Sequence, residues 1–138
     1  TEEIHMNTIY VTHCSRDKNP EYEISGNDTT PDILYTSLNF QKFIAWCRKK
    51  DHTWAVFSDK YGVVFDEELI HWYNKPPDTV TAEEFDHLLT SFTTRLAGFE
   101  QIIFYHRPGE THPLFLQIVR LGRERGMNII DFDPSVLD

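Results

Sequence analysis

The residues best able to do chemistry sit just after the first apolar run. Ile9-Tyr10-Val11-Thr12 empties into His13-Cys14-Ser15-Arg16-Asp17-Lys18. A thiol, a hydroxyl, an imidazole and cations in one short loop can bind an anion or polarise a carbonyl. Through Cys14 or Lys18 they can also attack an electrophilic carbon. Each has a plainer role beside that one: Cys14 as a small strand-end residue, Lys18 as a solvated cation. Groups of the same kind follow later apolar runs: Ser58-Asp59-Lys60-Tyr61, then His106-Arg107 with His112, then Asp133. Tyr35 and Ser37 add hydroxyls, with packing and helix capping as their plainer roles.

The histidines and cysteines do not read as a metal centre. Seven His and two Cys are present, with no H-x-x-x-H pair and no C-x-x-C, the spacings that zinc sites favour. No Walker loop, no G-x-G-x-x-G and no G-x-S-x-G occurs, so no cofactor is implied and the P-loop, dinucleotide and α/β-hydrolase readings lose their main support.

Strands and helices must bring these groups together. Residues 7–12 read as a strand covered on both faces. Residues 13–31 are rich in Asn, Asp, Gly, Pro and Ser and read as a long loop. Thr36 or Ser37 caps a helix reaching Lys50, with Phe40, Phe43, Ile44 and Cys47 on one buried face. Residues 53–57 form a second strand, 58–62 a tight turn, 63–65 a short extended piece, and 66–75 a helical turn. Thr81-Ala82-Glu83-Glu84 is a capping box; the helix it opens carries Phe85, Leu88, Leu89, Phe92 and Leu96 and stops at Gly98. Residues 101–105 are a third strand, a helix starting at Thr111 or Pro113 closes at Gly126, and residues 127–132 are a fourth strand. Alternating strands and helices predict an α/β three-layer domain, with about four parallel strands and helices on both faces. The domain is expected over residues 7–133, with 134–138 as an acidic tail and 1–6 set aside as tag, linker or disordered chain.

Position in such a sheet gives the candidate residues a meeting place. Ligands of open α/β sheets bind outside the carboxyl ends of the strands, where strand order switches. Lys18, Cys14 and Lys60 are the candidate catalytic residues. His13, Ser15, Arg16, Tyr35, Ser37, Ser58, Tyr61, His106 and Arg107 are the candidate ligand-binding residues.

The bulk composition narrows the partners. The 138 residues carry a formal net charge of -9, which opposes unaided binding to nucleic acid or anionic membrane. Nucleic acid is then engaged only through a local patch or a partner. With few cysteines, no secretory pattern and no apolar run approaching about 18 residues, the expected setting is cytoplasmic, away from membranes. The oligomeric state is not fixed by the sequence.

The motif series also resembles a known family. Cys14-x3-Lys18, Asp32-x-Leu34-Tyr35-x-Ser37-x-x-Phe40, Trp54-x-x-Phe57-Ser58-x-Lys60-Tyr61-Gly62 and Tyr73 resemble small uncharacterised prokaryotic and phage proteins. Those proteins share a Cys-x3-Lys loop, L-Y-x-S-x-x-F, W-x-x-L-S-A-K-x-G-L and P-Y-D; here Asp59 stands where they have Ala, and Trp72-Tyr73-Asn74 stands at P-Y-D. The loop is also distantly similar to the lysine motif of archaeosine synthase, which acts on a 7-cyano-7-deazaguanine base. His13, Asn19-Pro20 and Phe40 depart from that motif. The similarity implies a fold like that of uracil-DNA glycosylases in outline, and a nucleobase-related site with Lys18 and Cys14 in the reactive loop.

Three readings follow. The first is an enzyme or enzyme-derived domain acting on a modified nucleobase, nucleoside or nucleic acid, with Lys18 as nucleophile or clamp. In it Lys60 and Arg107 hold anionic groups, and Cys14 and Ser37 orient the ligand. The second is a non-catalytic nucleotide- or anion-binding regulatory module. The third is a protein-interaction domain using Trp72 and Tyr73 as exposed anchors.

Overall fold

Ile9 and Val11 are fully buried on one side of the first strand, and Thr12 is buried on the other. A strand of that kind needs cover on both faces, and it takes the centre of the sheet. The computed structural model describes residues 7–138. Its elements run β1 (Thr8–His13), α1 (Pro20–Ser25), α2 (Pro31–Leu34), α3 (Leu38–Lys49), β2 (Trp54–Ser58) and β3 (Gly62–Phe65). They continue with α4 (Ala82–Arg95), β4 (Gln101–Tyr105), α5 (Pro113–Glu124) and β5 (Ile129–Asp131). Short 3-10 turns form at Pro77–Thr79 and Pro134–Leu137. The expectation for residues 1 to 6 lies outside the described residues.

The sheet has five strands in the order β3-β2-β1-β4-β5. β1 pairs in parallel with β2 and β4, and β4 with β5; β3 turns back antiparallel on β2. The α/β three-layer architecture is therefore as expected, with one strand more. The short extended piece after the second strand is a true edge strand, because the turn after Ser58 folds it back in register with Val56 and Phe57.

Aromatic side chains fix the layers. On one face α3 sends Phe43 onto Tyr105, stacked at 4.8 Å, and Trp46 edge-on to Tyr10 at 5.5 Å. On the other face Phe92 of α4 and Phe115 of α5 meet Phe57 edge-on, at 5.2 and 5.8 Å. The connection from β1 thus crosses one face and the connection from β4 crosses the opposite face, as right-handed crossovers to opposite sides of a sheet require. No helix among the described residues is long and apolar enough to cross a membrane.

Three local expectations need correction. The segment 13–31 is not all loop, since it holds α1, capped by the Asn19 side chain accepting from Glu21 N–H at 3.1 Å with Pro20 in the first turn. α1 buries none of its residues, so no apolar periodicity announces it. Residues 66–75 do not form a helical turn. Ile70 instead pairs with Thr29 through backbone bonds of 3.0 and 2.8 Å, and Glu68 accepts from Phe65 N–H. The fourth expected strand shortens to Ile129–Asp131, and the tail winds back so that Asp138 pairs with Arg107 at 3.0 Å. The capping box is complete, with Thr81 and Glu84 exchanging bonds of 3.0 and 3.1 Å.

The β2–β3 turn places a demand on one residue. Gly62 has φ 75°, and a Cβ there would lie 2.4 Å from Ser91 Oγ. That hydroxyl accepts from Val63 N–H at 3.0 Å. Gly62→Ala should cost about 1–3 kcal/mol, from left-handed strain together with the clash. In a Ser91→Ala background the added loss should be smaller, a coupling that urea unfolding of the two single variants and the double variant will measure.

Candidate functional site

β1 and β4 are neighbours whose outgoing connections diverge, and a cavity of about 620 Å³ opens at their carboxyl ends. The β1 exit is held rigidly. Thr12 Oγ1 donates to the Tyr105 carbonyl at 3.1 Å, and Cys14 N–H carries the ladder one step beyond the strand to the Phe57 carbonyl at 2.9 Å. Ser15 Oγ closes a turn on the Asp17 carbonyl at 2.6 Å. Asn19 N–H then bonds the Leu34 carbonyl, and Thr36 N–H bonds the Asp17 carbonyl. Lys18, bridged to Tyr35 between these two bonds, has its backbone fixed on both sides.

The Lys18 ammonium lies 4.5 Å from the centre of the Tyr73 ring and 6.0 Å from that of Tyr35. Its hydrogen bond within the chain is a long one, 3.4 Å to the Arg16 carbonyl. Beneath it runs a buried polar chain. Tyr73 Oη is 2.7 Å from Tyr35 Oη and 3.0 Å from Ser58 Oγ. Ser58 Oγ already accepts the amides of Lys60 and Tyr61, at 3.1 and 3.0 Å, so its own hydroxyl donates to Tyr73. Burial raises the pKa of both tyrosines, which keeps the phenols neutral.

Asp59 and Cys14 share the cavity wall beside this chain. The thiol donates to Asp59 Oδ1 at 3.6 Å. Burial, then the Asp59 charge, pushes the Cys14 thiol up to about 12. At neutral pH it is a hydrogen-bond donor and not a thiolate nucleophile. Burial also raises the Asp59 carboxyl, while the Lys18 charge and the bonds from Cys14 and Tyr73 pull it back.

The other wall comes from β4 and α5. His13 stacks on Phe115 at 5.0 Å; its Nδ1 donates to the Cys14 carbonyl at 2.9 Å, and its Nε2 lies 3.1 Å from Thr111 Oγ1, whose hydroxyl is also 3.2 Å from the Arg107 carbonyl. Burial lowers its pKa, so the ring is neutral. His106 pairs with Asp131 at 3.2 Å. Arg107 donates through Nε to Tyr105 Oη at 2.6 Å and pairs with Asp138. His112 caps α5 by accepting from Leu114 N–H at Nδ1, and its Nε2 donates to Asp78 Oδ1 at 2.7 Å. That last bond ties the 74–78 segment across the mouth, where it forms part of the lining.

Of the candidate residues, His13, Cys14, Ser15, Arg16, Lys18, Ser37, His106 and Arg107 reach the cavity. Tyr35 and Ser58 do not line it, and act from behind through Tyr73. Lys60 and Tyr61 fall away from it. The exposed Lys60 ammonium rests 5.3 Å from the Tyr61 ring and 5.7 Å from the Tyr73 ring, and Tyr61 Oη donates to the His71 carbonyl. The expected gathering of Lys18, Lys60 and Arg107 therefore holds for Lys18 and Arg107 alone, because the tight turn after Ser58 points Lys60 outward. Tyr73 is 4% exposed and Trp72 packs against the core, so this pair does not form an exposed anchor. Asp59 was not among the candidate site residues; its signal was its place directly after a fully buried strand. Among the described residues no three His, Cys, Asp or Glu stand together as a metal site would need. In comparisons with known proteins, the chain matches no family model, no curated protein and no solved structure.

Two outcomes test this geometry. Tyr73→Phe strands the Tyr35 and Ser58 hydroxyls without their shared partner, and should cost about 1–3 kcal/mol in urea unfolding. The second concerns pH. Burial lifts both Cys14 and Cys47 from 9.0 to about 12. Above pH 9 the folded chain keeps protons that the unfolded chain releases, so stability is whole below that pH and falls as pH rises. The slope should be roughly 1.4 kcal/mol per pH unit for each thiol. Urea titrations between pH 8 and pH 11 will show it, and Cys47→Ala should make the slope shallower.

Proposed function

We propose that the chain is an enzyme, or a domain derived from one, that holds a modified nucleobase or nucleoside at the carboxyl rim of the sheet. Lys18 is its reactive or clamping group. The observation that carries this reading is the Lys18 amine itself. It stands on the cavity wall over an aromatic ring, fixed through its backbone, and among the described residues one long hydrogen bond serves its three donors. A cavity of about 620 Å³ suits a ligand of nucleoside size, since small-molecule sites run roughly 300–1,000 Å³. Phe40, Tyr105 and Phe115 give it apolar, ring-bearing walls, on which a base can stack.

The other residues take supporting roles. Arg107 and Arg16 hold anionic groups of the ligand, a role that Lys60 cannot share from outside the cavity. Ser37 lines the cavity and its side chain does not cap α3, so its hydroxyl is available to orient a ligand. The Cys14-x3-Lys18 loop and its resemblance to base-modifying enzymes add to the reading. With a net charge of -9, a polynucleotide substrate would be brought by a partner or bound through this rim alone.

A non-catalytic binding module is the second reading. The neutral Cys14 thiol favours it, as does Asp59 at a position where the similar proteins carry Ala. Thermal-shift and calorimetric titrations with nucleobases, nucleosides, nucleotides and deazaguanines will decide whether a base binds at all, since a ligand of the folded state raises Tm. Lys18→Met should weaken the binding found by tenfold or more, and should abolish any turnover. Unchanged affinity and turnover in that variant would sink the assigned role of Lys18. Turnover absent in the wild type despite tight binding would establish the module.

A further inference from the structure

Asp59 is a carboxylate kept 3% exposed on the wall of the cavity. Burying such a group is costly unless it is well bonded. Among the described residues it is served by the Cys14 thiol, a weak donor, at 3.6 Å, with its own backbone N–H and Tyr73 beside it. Tyr73 lies near enough to hold its pKa down, but that hydroxyl is also engaged with Tyr35 and Ser58. A carboxylate has about four lone-pair sites, so acceptor capacity is left over. Lys18 is close enough for its charge to act on Asp59, yet among the described residues no ion pair joins them. Its ammonium rests on Tyr73 and on the Arg16 carbonyl instead. An acceptor and a donor thus share one region of the cavity without neutralising each other.

We propose that Asp59 is a specificity-determining residue, selecting ligands that turn an amino or ring N–H group toward it beside an acceptor for Lys18. The inference rests on the nucleobase reading and narrows it to bases with an exocyclic amine or a donor–acceptor edge. A ligand lacking the donor would leave the carboxylate desolvated and unpaired, the arrangement by which polar sites reject close analogues most strongly. The effect expected from one hydrogen bond to a charged group is about ten- to a hundredfold in affinity.

The test uses base pairs that differ by a single amino group: guanosine against inosine, and adenosine against purine riboside. Calorimetric titration of the full chain should show the amino member of at least one pair bound about ten- to a hundredfold more tightly. Asp59→Ala should erase that preference. Asp59→Asn, which keeps the volume and one acceptor oxygen, should reduce it, and serves if the alanine variant does not fold. Equal affinity within both pairs in the wild type overturns the inference and leaves the nucleobase reading standing, as does a preference that survives both substitutions. If no member of either pair binds and other bases fail as well, the nucleobase reading is itself wrong and this inference falls with it.

Discussion

The parallel pairing of β1 with both β2 and β4 is the constraint on which the rest of the structure depends. Tyr10 faces Trp54 on one side and Ile103 on the other, and Thr12 faces Val56 and Tyr105. Two neighbours in the same direction force the chain to leave β1 and β4 by crossovers to opposite faces. The exits then part, and backbone cannot fill the gap between them. Polar residues that would be expensive inside the sheet can sit there, because water or a ligand reaches them. The Thr12 bond to the Tyr105 carbonyl pins the two strand ends together where that gap begins.

Behind the cavity the structure invests in a buried polar cluster. Ser58, Tyr35 and Tyr73 come from three separate stretches, and each is at most 4% exposed. Apolar side chains of similar volume would meet no desolvation cost there. The hydroxyls bring direction instead: the Ser58 oxygen fixes the 58–61 turn through its two amide bonds, and the same residue fixes the Tyr73 ring. Tyr73 in turn gives the Lys18 ammonium an aromatic face, an attraction worth roughly 0.5–2 kcal/mol. Position is handed along from a buried strand end to the one amine that reaches the cavity over that ring. Buried networks of this sort restrict alternatives when every member is satisfied, and no buried side-chain polar atom among the described residues lacks a partner.

Much of this was legible in the sequence, and what was not has physical causes. The strands read correctly where β-branched and aromatic residues run together, as in Thr8–His13 and Gln101–Tyr105. α3, α4 and α5 read correctly because their apolar residues recur at helical spacing, and the α4 capping box is explicit; the Ser37 side chain does not cap α3, and α5 is capped by His112. α1 was hidden, since a helix that buries none of its residues leaves no period to find. The 66–75 segment misled because its acidic start imitates a helix N-terminus, while the outcome was set by a distant backbone partner, Thr29. Post-strand position located the cavity and most of its lining. It could not separate Lys18 from Lys60, because the direction of a side chain in a tight turn depends on turn geometry. Tyr73 stood in the motif series and as an expected exposed anchor, but its buried role was not legible, because it is defined by Tyr35 and Ser58, which are distant along the chain.

The edges of the sheet use cations differently from the cavity rim. Val63 on edge strand β3 has its N–H taken by Ser91 and its carbonyl by Arg95 at 2.8 Å, both from α4. At the other edge Arg123 of α5 donates to the Ile129 carbonyl at 3.0 Å and to Asp131 at 3.1 Å. An open strand edge is a template for another chain, and here the covering helices spend side chains on closing both. Arg95 and Arg123 therefore work as edge caps. The cations of the carboxyl rim differ from them: Arg16 extends from an irregular loop, Arg107 is anchored through Nε and one terminal nitrogen, and Lys18 keeps its donors nearly free. The same residue types thus divide by position, those beside an edge closing it and those beside the divergent exits lining the cavity.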